Sequence, residues 1–230
     1  DDGGAGDPDG VNDAGRSAIH SGNNTFEYTE FSNPTTSLTV NTGNDGETVT
    51  FAHMDPAYNP TNGTTITGGT GADTLRVDFS SGVDVIPTGG ITFNGGADNG
   101  DAVIFTAGYA ATNVTDNYTD NHSGSIVVDG RTVTYRGLSQ TRGIFDPLAA
   151  STRIFTFSST ASNNITLGDD PTANNGISRI SSTASNPTTD FANPTTSVTV
   201  NLGNAGDTIT AGPLDAASPP PAIDLNGGTG

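Results

Sequence analysis

Phe31 to Phe51 reads FSNPTTSLTVNTGNDGETVTF, and 160 residues later Phe191 to Ala211 reads FANPTTSVTVNLGNAGDTITA, with 14 of 21 positions identical. Each copy holds two short alternating runs, Leu38-Thr39-Val40 and Val49-Thr50-Phe51 in the first, on either side of an Asn/Gly-rich turn. Apolar residues at every second position mark a strand with one buried face. A strand-turn-strand unit that recurs along the chain is the signature of a stacked, repetitive architecture.

A shorter rhythm runs inside the long one. An apolar residue, then Asn or Thr, any residue and Gly occurs at Val40 to Gly43, Ile66 to Gly69, Phe93 to Gly96, Val200 to Gly203 and Leu225 to Gly228, at intervals of 26, 27, 107 and 25 residues. The long interval is close to four steps, with Asn121 and Asn174 near two of the missing positions and Pro147-Leu148 a poor fit near the third. Two residues before each frame stand Leu38, Thr64, Ile91, Val198 and Ile223; after the turn come Glu47, Asp73, Asp101 and Asp207, each followed two residues on by Val49, Leu75, Val103 and Ile209. Every step therefore reads as two short strands joined by a turn.

Composition agrees. Across 230 residues only 31% are hydrophobic, against 31 Gly, 13 Pro and 37 Thr, which favours turns and strands over helices. Low hydrophobicity with a net charge of −18 is also the mark of disorder. The regularly spaced apolar pairs LTV, ITF, VIF, VTY, IFTF and VTV oppose that reading. All seven basic residues are Arg, so a polyanion such as nucleic acid would be repelled. With no Cys there is no disulfide framework, and no apolar run reaches membrane-spanning length.

The expected fold is all-β: an elongated, mostly parallel β-solenoid, or β-helix, with coils of about 26 residues, each adding about 4.8 Å along the axis. Residues 1–30 read as the end of a preceding repeat unit, 31–190 as one full unit and 191–230 as the start of the next, so the chain is expected to be a segment of a longer repetitive polypeptide, with any export signal outside it. One stretch stands apart. Ile126 to Tyr135, IVVDGRTVTY, carries Asp129-Gly130 between alternating runs, a strong short hairpin signal. Either it is another coil corner, or residues from about 107 to 160 form an antiparallel hairpin insertion.

Gly68 to Leu75, GGTGADTL, matches the pattern G-G-x-G-x-D-x-apolar and so resembles haemolysin-type calcium-binding (RTX) repeats, with relaxed versions at Gly43 to Val49, Gly95 to Val103 and Gly203 to Ile209. Tandem nine-residue spacing is absent. The Thr-, Asn- and Gly-rich style of the whole chain resembles giant repetitive, adhesin-like surface proteins of bacteria. These resemblances imply a secreted or cell-surface protein and do not fix a ligand set. The acidic column itself offers Glu47, Asp73, Asp101 and Asp207 as candidate ligands for Ca²⁺ as a cofactor. Acids one coil apart would repel by roughly 1 kcal/mol even in water, which a cation would relieve. The other reading is that each acid caps or solvates a turn.

Enzymatic features are few. Arg131, Arg136, Arg142 and Arg153 form the best basic cluster, expected to pair with surface Asp, and His20, His53 and His122 are scattered without metal or triad spacing. A polysaccharide-active β-helix enzyme would need a lone, non-repeating pocket joining an acid pair to one of those Arg residues. Six Asn-x-Ser/Thr sequons, three of them between Asn113 and Ser123, make glycans a candidate partner or modification and that stretch a candidate loop. Near-identical units in series make length rather than a unique site. The chain is therefore expected to be a non-enzymatic structural block of an extracellular fibre, stalk or surface layer, whose partners are copies of itself or neighbouring units, end to end or lateral. The alternative is a spacer or ligand-binding segment of a calcium-dependent adhesin.

Overall fold

The computed structural model describes residues 15–21, 28–52, 55–96, 100–141, 143–158, 162–183, 186–215 and 221–228. His53, Arg142 and the sequon at Asn23 lie outside them, as do residues 1–14 of the expected preceding unit. The strands are β1 (Arg16–Ile19), β2 (Thr29–Ser32), β3 (Leu38–Asn41), β4 (Thr48–Phe51), β5 (Thr64–Thr67), β6 (Thr74–Val77), β7 (Ile91–Asn94), β8 (Ala102–Phe105), β9 (Ala110–Tyr118) and β10 (Gly124–Val128). There follow β11 (Arg131–Arg136), β12 (Ile144–Asp146), β13 (Ala149–Phe157), β14 (Asn164–Asp169), β15 (Ile177–Ser182), β16 (Thr189–Ala192), β17 (Ser197–Asn201), β18 (Thr208–Ala211) and β19 (Ala222–Asn226). Among the described residues there is no helix, and so none long and apolar enough to cross a membrane.

Two large sheets carry the fold. One has nine strands in the order β19-β17-β13-β9-β10-β11-β7-β5-β3, and the other eight in the order β18-β14-β15-β16-β12-β8-β6-β4; β1 and β2 form a small antiparallel pair. From β3 onward the chain passes back and forth between the large sheets, except where β9 to β11 and β14 to β16 stay within one. Their ladders are parallel throughout apart from those made by β10 and β15, the two reversed strands. Buried side chains of both sheets merge into one hydrophobic cluster, with the Phe155 ring of one sheet 4.8 Å from the Phe191 ring of the other.

The sequence columns become strand partners. Leu38, Thr64 and Ile91 pair in register, as do Val40, Ile66 and Phe93, and in the second sheet Val49, Leu75 and Val103. Val198 and Val200 likewise pair with Ile223 and Leu225. Through the long interval the simple rhythm fails. Asp129 and Gly130, with φ of 45° and 89°, make the two-residue turn that joins β10 to β11. This hairpin is not set apart from the sheets, because β11 pairs with β7 and β9 with β13. Across the reversed strand the register moves by two residues: Phe93 leads through Tyr135, Gly124 and Tyr118 to Phe157, whereas Val200 pairs with Phe155. Asn121 and Asn174, placed at frame positions by spacing, instead lie in the β9–β10 and β14–β15 turns. Likewise most of Asn113 to Ser123, read as a loop, belongs to β9.

Glycine fixes how closely the turns stack. A Cβ on Gly69 would stand 1.8 Å from the Gly43 carbonyl oxygen, one on Gly96 2.2 Å from that of Gly69, and one on Gly228 1.5 Å from that of Gly203. At Gly69, Gly96 and Gly228 the fourth frame position is therefore glycine because the backbone of the neighbouring turn occupies the space of a side chain.

The long repeat extends beyond its 21 matching residues. Ser17 Oγ donates to Asn33 Oδ1 at 2.6 Å, and Ser178 Oγ to Asn193 Oδ1 at 2.6 Å. Asn33 N–H meets the Gly15 carbonyl at 2.8 Å and Asn193 N–H that of Gly176 at 3.0 Å. Gly15 N–H donates to Asp55 Oδ2 at 2.9 Å, and Gly176 N–H to Asp215 Oδ2 at 3.2 Å. The β1–β2 and β15–β16 pairs are each crossed by one ion pair, Arg16–Glu30 and Arg179–Asp190.

Gly69→Ala is expected to lower stability by about 3 kcal/mol or more, because backbone rather than a movable side chain must give way. Gly206→Ala, whose Cβ would meet only Ser162 Oγ at 3.7 Å, should stay within about 0.5 kcal/mol. Denaturant melts of the two variants check both values.

Candidate functional site

The acidic column forms a ladder of carboxylates capping amides. Asp73 Oδ1 accepts the Glu47 N–H at 2.9 Å, and Asp73 Oδ2 the Gly69 N–H at 3.1 Å; Asp101 Oδ1 accepts the Asp73 N–H at 2.7 Å. Asp73 and Asp101 thus each reach back to a turn amide of the step before, a donor that would otherwise lack an acceptor. Glycines make room for this, since a Cβ on Gly68 would lie 2.2 Å from Asp73 Oδ2 and one on Gly95 2.3 Å from Asp101 Oδ2. Lost hydration, and then the Asp73 carboxylate beside it, raise the Glu47 carboxyl above its ordinary value. Asp207 does not join these three. Its Oδ1 accepts the Asn163 N–H at 2.8 Å and the Asn163 side-chain amide at 3.1 Å. The capping role, weighed in the sequence beside calcium binding, is the one these contacts describe.

Three other carboxylates come closer together. Ligand oxygens of Asp169, Asp170 and Asp215 lie within 4.8 Å of one another. Asp215 Oδ2 accepts the Asn175 N–H at 2.7 Å, and Asp170 Oδ1 the Thr172 N–H at 3.0 Å. No local signal in the sequence marks this trio, because Asp215 lies far along the chain from the Asp169-Asp170 pair and is brought back by the fold. Its equivalence to Asp55 through the long repeat was the available clue.

Arg153 departs most from expectation. Rather than pairing with a surface acid it is wholly buried, with Nη1 donating to Asp146 Oδ2 at 2.7 Å, Nη2 to the Leu148 carbonyl at 2.8 Å and Nε to the Ala192 carbonyl at 3.0 Å. Its guanidinium lies 5.6 Å from the centre of the Phe191 ring. Close by, Asp116 occupies a strand position where Phe155 and Ile126 are its neighbours in the ladder. Asp116 is fully buried, and neither carboxyl oxygen has a hydrogen-bond partner. Burial pushes its carboxyl up to about 8, with Asp146 adding to the rise and Arg153 opposing it. Tyr118, whose hydroxyl donates to Thr189 Oγ1 at 2.9 Å, and Tyr135 complete this sealed polar group. An acid pair and an arginine do meet here, inside the core and away from solvent.

An open cleft of about 530 Å³ lies between the β4–β5 and β6–β7 connections, with Asp55, Tyr58, Asp84, Val83 and Arg131 on its walls. Asp55 accepts the Gly15 and Ala57 N–H groups and Asp84 that of Ile86, while Arg131 Nη1 donates to the Ile86 carbonyl at 3.0 Å. The polar groups of the cleft thus hold its own turns. His122 Nδ1 lies 2.6 Å from the Leu138 carbonyl, and His20 stacks on Tyr28.

No family model, curated protein or solved structure matches this chain.

Asp73→Ala should leave two turn amides without acceptors and lower stability by about 2 to 4 kcal/mol, read from a shift in denaturation midpoint. Asp116 keeps its proton in the fold while the unfolded chain loses it near the ordinary carboxylate value. Stability contributed by this site therefore falls as pH rises from about 4 to about 8 and levels off above. Asp116→Asn should remove that slope, adding up to about 4 kcal/mol at pH 7 and nothing near pH 4. Melts of both proteins at pH 4, 7 and 9 test the sign.

Proposed function

We propose that this chain is a structural building block of an extracellular fibre, stalk or surface layer, in which repeat units continue in series as a β-solenoid. The observation that carries this reading is the internal equivalence of residues 15–55 and 176–215. The two stretches build the same strands and the same Ser, Asn and Asp hydrogen bonds, with β3 and β17 in one large sheet and β4 and β18 in the other. A unit that can be placed twice along one pair of parallel sheets can be placed further times by the same contacts, which yields length.

Several features support a mechanical role. Passage of the chain back and forth between two sheets in register is the winding expected of solenoid coils, and backbone ladders between coils resist extension along the axis. Among the described residues β19 is the last strand at one end of the nine-stranded sheet, with Ile223 and Leu225 exposed on it. Open parallel edges invite another strand. The charge of −18 keeps unpaired units apart in solution until a divalent cation or a matching edge offsets the repulsion. Carboxylates in the ladder and in the cleft are committed to turn amides, which favours scaffolding over catalysis.

Electron microscopy of the purified protein, with Ca²⁺ and then with a chelator, tests the proposal. Continuous fibres are expected, and their collapse in chelator would assign a cation to the joints. Discrete particles that never associate at any Ca²⁺ concentration would overturn the building-block reading.

A further inference from the structure

The outward face of the nine-stranded sheet is a lattice of uncharged groups. In register from β3 to β17 runs a row of five Thr, one Ser and two Asn, with Thr92, Thr134, Ser125, Asn117 and Thr156 at its middle. A second row, Thr132, Val127, Thr115, Ile154 and Thr199, crosses β11, β10, β9, β13 and β17. The residues between them along each strand, such as Tyr135, Ile126 and Phe155, point into the core and are buried, whereas no member of either row is.

Charge is distributed around this face and not on it. The chain carries 25 acids against seven Arg, yet among the described residues no outward position on the eight strands from β3 to β17 is acidic, and Arg136 at the end of β11 is the charged exception. The outward side of the eight-stranded sheet differs, with Arg76, the exposed Phe145 ring and the Arg179–Asp190 ion pair on it. Hydroxyls and side-chain amides both donate and accept, so a face made of them is complementary to itself, as a face of carboxylates is not. Neighbours on the sheet already pair in this way: Thr152 Oγ1 donates to Asn113 Oδ1 at 2.5 Å, and Asn117 Nδ2 to Ser125 Oγ at 3.4 Å.

We propose that this face docks a second copy of the chain, the two nine-stranded sheets meeting face to face about a two-fold axis near β9 and β10. The proposal rests on the building-block reading and gives it a lateral contact. Two molecules of charge −18 repel least where neither presents a carboxylate, and a two-fold contact asks one patch to match itself. Val127 and Ile154, half-buried at the middle of the face, supply an apolar centre, and the Thr, Ser and Asn around them a polar rim, which is the anatomy of a protein interface. Eight strands about 4.8 Å apart, with outward residues spanning about 20 Å along the longer ones, give a face on the order of 700 Å², close to the roughly 800 Å² that each partner contributes to a stable interface.

Sedimentation velocity of the purified chain over a range of concentrations tests the contact, and a monomer–dimer equilibrium is expected. Thr134→Glu, which sets like charges against each other across the axis, should raise the dimer dissociation constant at least about tenfold. Ser181→Glu, outward on β15 of the other sheet, should leave it unchanged, and circular dichroism melts verify that both variants fold. Because the chain has no Cys, a single introduced thiol gives a second readout that adds no charge: a short bis-maleimide should link Ser125→Cys protein into dimers and leave Ser181→Cys protein monomeric. Monomers at every concentration, including monomers that are instead retained on an insoluble uncharged polysaccharide, would overturn the proposal. So would a dimer weakened by Ser181→Glu in place of Thr134→Glu, or equal cross-linking of the two thiols. Fibres that assemble unchanged from Thr134→Glu protein would overturn it while sparing the building-block reading, and dimers joined through Ser125→Cys that never grow into fibres would do the reverse.

Discussion

The carbonyl oxygen of Gly43 lies where a side chain on Gly69 would have to stand, and the carbonyl of Gly69 where one on Gly96 would. Turns that approach this closely bring the strands on either side into parallel register, so that Val40, Ile66 and Phe93 fall in one line and Val49, Leu75 and Val103 in another. Close approach also shuts turn amides away from water. The Asp ladder answers that cost: Asp73 and Asp101 accept N–H groups of the preceding step through Oδ1, while their Oδ2 atoms occupy the space left by Gly68 and Gly95. Glycine and aspartate are thus two halves of one device, and neither works without the other.

Where the stacking is interrupted, the interior changes character. Among the described residues both large sheets contain one reversed strand. Asp116 lies on β9 next to the reversed β10, while Arg153 and Asp146 bridge β13 and β12. A buried ion pair is a costly way to gain stability, since desolvation offsets most of the attraction. The Arg153 guanidinium nevertheless ties the carbonyls of Asp146 and Leu148, just before its own strand, to that of Ala192 on β16. It is placed to fix how the two sheets meet at the point where repeat spacing no longer does so.

The repeat gives the molecule an internal control. Ser17, Asn33 and Asp55 reproduce the hydrogen bonds of Ser178, Asn193 and Asp215, so local sequence suffices to build this corner in two different surroundings. Burial does not follow local sequence in the same way: Ile180 is sealed and Ile19 is not. In the second copy β14 pairs with β15, whereas among the described residues β1 pairs only with β2.

The sequence by itself determined the all-β class, the strand-turn-strand step and the in-register columns, because each rests on residues close together in the chain: alternation and glycine. At Asp129-Gly130 it held a coil corner and a hairpin open, and the antiparallel pairing of β10 with β11 decided for the hairpin. It also placed Glu47, Asp73 and Asp101 in one line, and it held both the capping and the cation reading of that line open. Only the tertiary structure decided that the register shifts by two residues across β10, that Asn121 and Asn174 leave the column for turns, and that Asp207 sits against Asn163 instead of another acid. Nor could spacing reveal Arg153 in the core or the meeting of Asp169, Asp170 and Asp215. A strand that reverses within its sheet brings together residues whose separation in sequence bears no relation to the repeat, and side-chain periodicity reports only which face of a strand is buried, not which distant strand buries it.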